Sequence, residues 1–224
     1  MRKAAAAVAF AFVLLLVSVP MASAINIQSA VGETQCIAPP CVAVTAITPN
    51  GLWQPAFGTS VWVSFANTGS GGSAPPNSTG VSDITARFSD TFVLPIGTWQ
   101  LTLNVWADDT AGVKLNGAAL TDLVSGSSAP NLTLGDHCSA APGLGCLSTT
   151  GGQFSAILAG GGLNTLEFDV YQLGLDTFGL LYAGTLEELA PVPEPTSIFL
   201  LGSALTALGV AYRRRRAQKP ADTV

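Results

Sequence analysis

From Trp99 to Val105 the chain alternates without a break. Trp99, Leu101, Leu103 and Val105 are apolar, and Gln100, Thr102 and Asn104 between them are polar. A repeat of two is the repeat of a β-strand, whose successive side chains leave opposite faces. A helix would scatter the four apolar residues around its circumference. The pattern therefore demands a strand with one covered face, in a register that cannot slip, because a shift of one residue would expose all four side chains. Such a strand belongs to an antiparallel sheet packed on one side against a core.

Other stretches repeat the signature. Val42–Ile47 and Ser60–Phe65 alternate, with Val61, Val63 and Phe65 on one face. Ile84–Phe88 and Thr91–Leu94 are shorter candidates, and Val113-Lys114-Leu115 runs into Asn116-Gly117, a hairpin turn signal because both residues tolerate positive φ. Gln153–Leu158, Asn164–Tyr171 and Phe178–Tyr182 follow, and Leu166, Phe168 and Val170 share a face in the middle one. These three are expected beside the Trp99–Val105 strand or across the core from it. Thr185–Pro191 reads as an exit into a linker. No segment of the body sustains a helical period. About eight short strands with Gly, Asn and Pro between them read as an all-β fold, an antiparallel β-sandwich of the jelly-roll kind, over residues 25–190. Gly/Ser/Pro-rich loops at 68–79, 125–131, 140–152 and 160–162 lie on its surface.

The two ends obey different physics. Arg2 and Lys3 precede an apolar run from Ala4 to Val19, broken at Pro20 and followed by Ala22-Ser23-Ala24. That is the layout of a signal peptide, residues 1–24, cut by signal peptidase after Ala24. At the other end Val192-Pro193-Glu194-Pro195 leads into an apolar run, Thr196–Tyr212, and then Arg213, Arg214, Arg215 and Arg216. The prolines favour an extended motif. The run of about 17 residues makes a helix of about 25 Å, the lower limit for a transmembrane helix. The arginines belong on the cytoplasmic side, with 217–224 as a cytoplasmic tail.

This order of motif, short helix and basic block resembles the PEP-CTERM sorting signal of Gram-negative bacteria, over residues 191–216. The resemblance implies processing by a membrane-embedded exosortase after transient anchoring in the inner membrane. It further implies release to the cell surface or extracellular matrix.

A second resemblance lies in the body. Trp106-Ala107-Asp108-Asp109, then Val113-Lys114-Leu115-Asn116-Gly117, and later Gly162-Leu163-Asn164-Thr165-Leu166-Glu167-Phe168-Asp169-Val170, are similar to the hairpin and strand of galactose-binding-like and carbohydrate-binding-module jelly rolls. That resemblance implies an architecture more than a ligand, since one fold hosts many functions.

Charge is segregated along the chain. The net charge is −5, but seven of the nine Lys and Arg lie in the terminal segments, which leaves Arg87 and Lys114 against twelve acidic residues, −10 for residues 25–192. Such a body excludes nucleic acid as a partner, which needs clustered cations. Outside the cytoplasm the four cysteines can oxidise. Three pairings are open, and the short spacings favour Cys36 with Cys41 and Cys138 with Cys146. Neither spacing is that of a zinc site, even with His137 adjacent.

Little in the sequence points to catalysis. His137 is the only histidine, and neither a nucleophile elbow nor H-E-x-x-H is present. Paired carboxylates suffice for a glycosidase, with Glu167, Asp169, Asp108 and Asp109 as the candidates, although solvated strand positions and turns account for them better. No cofactor is required. Asp108 and Asp109 offer oxygens to Ca²⁺, but without D-x-D-x-D spacing, and a turn with side-chain to backbone hydrogen bonds explains them better. Trp99 shares the core face. Trp62 and Trp106 fall opposite the apolar rows and are the tryptophans placed to stack on a sugar.

The expected function is that of a non-catalytic exported protein of the cell surface or extracellular matrix, associated with exopolysaccharide. A carbohydrate-binding module with its own glycan ligand is the alternative, and a carboxylate-dependent glycosidase is the third reading.

Overall fold

The computed structural model describes residues 24–38, 41, 43–73, 75–132, 138, 144–174, 176–189 and 195–217. The chain divides into two compact units, Met1–Leu189 and Ala190–Val224. Residues 1–23 of the signal peptide, Val192–Glu194 of the sorting motif, His137 and the tail from 218 onward lie outside the described residues.

The first unit is two antiparallel sheets. One contains β3 (Thr45–Ala46), β4 (Val63–Ser64), β11 (Gly179–Leu189), β6 (Thr98–Asp108) and β9 (Gly152–Ala159) in that order, and β1 (Ala24–Gln28) also pairs with β11. The other runs β2 (Gln35–Cys36), β5 (Ala86–Leu94), β10 (Gly162–Tyr171), β7 (Thr110–Leu115) and β8 (Ala118–Ala119). The alternation that opened the chain's reading sits on β6, paired with β11 on one side and β9 on the other. Trp99, Leu101, Leu103 and Val105 are each 0% exposed. Leu166, Phe168 and Val170, equally buried, lie on β10 in the opposite sheet. They therefore face β6 across the core and do not flank it. The Phe168 ring stacks on Tyr182 of β11 at 4.4 Å, closing the sandwich.

Several elements differ from their expected extent. Ile84–Phe88 and Thr91–Leu94 merge into the single strand β5, although Asp90 stands on its core face, buried, with the Tyr182 hydroxyl donating to its Oδ2 at 3.2 Å. β11 runs on to Leu189 where a linker was expected, because Leu186 continues its inner row and β1 pairs with residues 183–187. β1 itself escaped notice, being five residues long and directly after the apolar leader. The early strands shrink to Thr45–Ala46 and Val63–Ser64. Asn116 (φ 51°) and Gly117 (φ 79°) form the expected two-residue turn between β7 and β8.

Both short-range disulfides form, Cys36–Cys41 and Cys138–Cys146. The second anchors a loop layer over part of the outer face of the first sheet. There Ile47, Trp53, Trp62, Cys146 and Leu181 make a second small core, joined by Phe57, Trp106 and Leu147.

In the second unit, helix α1 covers Pro195–Ala217. Proline suits its first turn, where no intrahelical N–H is needed. Among the described residues, no helix is long and apolar enough to cross a membrane. The expected C-terminal helix is present.

Candidate functional site

β6 ends in Asp108, and the chain turns through Asp109 into β7 at one end of the sandwich. A cleft of about 260 Å³ opens there, lined by Asn50, Leu52, Trp53, Asp108, Asp176 and Thr177, with Cys138 and Leu147 closing it. Asp108 is 4% exposed and accepts a hydrogen bond at Oδ2 from the Thr177 hydroxyl, 2.7 Å away. Burial first, and then the adjacent Asp109, push its carboxyl up to about 8. At neutral pH it is therefore a hydrogen-bonding acid more than a charge.

Asp109 meets the Asp108 carboxyl on one side and the loop after β10 on the other. Its Oδ2 accepts the backbone N–H groups of Leu173 (2.5 Å) and Gly174 (3.2 Å). The expected local turn contacts are replaced by long-range ones: the backbone Asp109 satisfies belongs to a loop more than sixty residues on. The two neighbours clasp the β6–β7 corner to residues 173–177. Asp108 also lies within 4.8 Å of the sulfurs of Cys138 and Cys146. Those sulfurs are joined in a disulfide, and a metal requires thiolates.

Of the remaining carboxylate candidates, Glu167 is half-buried on the outer face of β10, and Asp169 is committed to structure. Asp169 was expected on a solvated strand face. It is instead 4% exposed, with Arg87 Nε on Oδ1 and Lys114 Nζ on Oδ2, the latter at 2.7 Å. These are the only two cations between the signal peptide and the sorting motif, and both grip one carboxylate. The cause is register: Asp169 of β10 lies directly opposite Arg87 of β5, and Lys114 reaches it from β7 on the other side. Burial pulls this carboxyl upward, but the hydrogen bonds from Arg87 and Lys114 outweigh it and hold the group below its ordinary value.

The two tryptophans separate. Trp62 is 1% exposed, packs on Trp53 with ring centroids 4.3 Å apart, and donates its Nε1–H to the Gln54 carbonyl. It points outward from β4, as the alternation requires, but the loop layer roofs it and leaves no face for a ligand. Trp106 is half-buried. Gly151 lies so close that a Cβ there would come within 2.3 Å of Nε1, and the Phe57 ring makes a T-shaped contact with the indole, centroids 5.2 Å apart. Its Nε1 is buried without a hydrogen-bond partner.

Beyond the loop layer, the rest of that outer sheet face is open. A groove of about 370 Å³ runs over β1, β11 and β6, walled by Phe57, Gly58 and Thr59. Its floor carries Asn26, Gln28, Thr102, Asn104 and Thr185. Thr102 and Asn104 were visible in the sequence only as the polar half of an alternating strand, and nothing there marked them as more than solvated positions.

Set against known proteins, residues 191–216 match the family model described as the PEP-CTERM protein-sorting motif. No curated protein matches the chain. Among solved structures, the chain is similar to the CBM35 from Paenibacillus barcinonensis, at 12% identity and a TM-score of 0.33, over 72% of this chain and 97% of that one. It is likewise similar to a family 35 carbohydrate binding module from Clostridium thermocellum, at 11% identity and a TM-score of 0.34, over the same shares of each chain.

Proposed function

We propose that this is a non-catalytic protein exported across the inner membrane, delivered by a PEP-CTERM sorting system, and active in its β-sandwich at the cell surface or in the extracellular matrix. The observation that carries the reading is the sorting-motif match at 191–216. Three features support it. The arginines that stop transfer, Arg213–Arg216, are concentrated behind the motif, while the preceding body holds only two cations. The body contains two disulfides, which persist in oxidising compartments. The four carboxylates that would serve a glycosidase include three tied into the fold, Asp108, Asp109 and Asp169.

In this reading the leader is removed by signal peptidase after Ala24. Helix α1 holds the chain at the inner membrane only for as long as the processing enzyme needs it, and its short apolar part suits a transient stay. Gly202 and Gly209 permit close approach of a partner helix. After release, an acidic, disulfide-braced sandwich remains soluble among exopolysaccharide chains.

Intact mass of the protein recovered from the surface of an exosortase-bearing host tests this. The expected product lacks residues 1–24 and everything beyond about Pro195. Replacing Pro193, Glu194 and Pro195 by alanine should leave it membrane-bound. Full-length chain on that surface would refute the reading.

A further inference from the structure

The open groove on the first sheet has a chemistry of its own. Its eleven lining residues include no acid and no base, although the body carries twelve acidic side chains. The strand register explains how the floor is assembled. Asn26 of β1 lies opposite Thr185 of β11, Thr185 opposite Thr102 of β6, and Thr102 opposite Ser155 of β9. One row of neutral hydrogen-bonding side chains thus crosses four strands, at the strand spacing of about 4.8 Å. The next row contains Gln28, Asn104 and Gln153, joined through Ala183. An amide offers both donors and an acceptor, and a hydroxyl offers one donor and two acceptor sites, the same repertoire as a sugar hydroxyl.

The wall supplies the apolar half. Phe57 stands half-buried at the groove, its ring in T-shaped contact with Trp106, and Trp106 is itself pinned by Gly151. A ring fixed in this way costs little to order on binding. It presents an apolar surface to the C–H face of a pyranose. Trp106 therefore acts through Phe57 and does not stack on the ligand. Thr59 donates to Gln28 Oε1, tying the wall to the floor.

Charge decides among occupants. An anionic polymer would approach a body of net charge −10, and a cationic one would find no carboxylate on the floor. An apolar protein surface would bury the floor's amides and hydroxyls without partners, a cost each of those groups would carry. A neutral, hydroxyl-rich chain meets none of these costs. From this we infer that the groove over β1, β11 and β6 is a binding site for a neutral polysaccharide, with Asn104, Thr102, Asn26 and Gln28 as its hydrogen-bonding floor and Phe57 as its stacking wall. The inference rests on the surface-protein reading above and names the kind of matrix polymer its sandwich would hold.

Affinity electrophoresis of the processed protein tests it, in native gels cast with hydroxyethyl cellulose, galactomannan, neutral arabinoxylan or the anionic polymer alginate. At least one neutral polymer should retard the protein and alginate should not. Phe57→Ala and Asn104→Ala should each weaken retardation at least tenfold. Thr91→Ala, on the exposed face of the other sheet, should leave it unchanged. Thermal melting should show Asn104→Ala folded as the parent is, so that lost binding cannot be lost structure. Absence of retardation by every neutral polymer, retardation by alginate alone, or unaltered binding in both groove variants would overturn the inference. So would a dimer in light scattering that dissociates on Asn104→Lys, since a second copy would then cover the face. A correctly trimmed, surface-located protein that binds none of the polymers would sink the groove and leave the sorting route intact.

Discussion

Replacing Asp169 by Asn removes the charge that Arg87 and Lys114 share while nearly conserving volume. Two limits bracket the cost. Breaking a fully buried ion pair from one side costs about 3–5 kcal/mol, because a charge is left uncompensated in a poor solvent. An exposed pair is worth about 0–1 kcal/mol. Asp169 belongs to the first class, with its side chain 5% exposed, but its partners are each 30% exposed and can turn to water once released. The expected loss is therefore intermediate, about 2–3 kcal/mol. At a urea slope of about 1–3 kcal/mol per molar, the midpoint falls by about 0.7–3 M. The pH dependence identifies the origin. The folded carboxyl titrates below its ordinary 3.8, so its stabilisation is complete above the unfolded value and is lost as pH falls through the folded one. The gap between parent and variant should be constant from about pH 5 to 7 and close below about pH 4. Urea titrations monitored by tryptophan fluorescence, with disulfides intact, measure both. A loss under about 0.5 kcal/mol, the scale of an ordinary surface change, would refute the clamp. A gap that survives unchanged at the acid end would show that the loss is not ionic.

Two further outcomes test the same structure. Leu103→Ala should cost about 2–5 kcal/mol, as for other emptied core sites, and Thr102→Ala on the opposite face of β6 under about 0.5 kcal/mol; equal denaturant midpoints would show the faces reversed. Asp108, raised to about 8 when folded, binds its proton more tightly in the native state than in the unfolded chain. Stability should therefore fall as pH rises from about 4 to 8, by up to about 1.4 kcal/mol per unit, and Asp108→Asn should flatten that slope. A parent and variant with parallel profiles over this window would exclude the effect.

The sandwich was legible in the sequence because alternation is a local signal with a global consequence. Trp99–Val105 and Leu166–Val170 declare which face is covered without naming what covers it, and for that reason the choice between neighbour and opposite sheet stayed open until the register was seen. Where a strand lacks contrast the signal fails. Glu187-Glu188-Leu189 closes β11 with one face in solvent and the other at the sandwich margin, and Ala24–Gln28 is too short to show a period. Asp169 misled for a related reason. Its parity puts it on the outer face of β10, and it does lie there. Parity reports direction and not depth, and two long cationic side chains from β5 and β7 bury it where no apolar residue would announce a buried site.

The outer face of the first sheet shows the same limit from the other side. Trp62 and Trp106 were chosen because they point away from the core, and both do. What the sequence could not reveal is that residues of the 47–57 stretch, with Cys138, Cys146 and Leu147, fold over that face, making a second small core of it. The roof buries Trp62 and converts Trp106 into a support for Phe57. It stops short of Thr102 and Asn104, and the boundary creates the groove. A sheet face with no roof would be flat, and a fully roofed one closed. The partial roof supplies a wall with an aromatic ring beside a floor of neutral amides and hydroxyls, which is why the residues that matter for binding were the polar members of the strand that first revealed the fold.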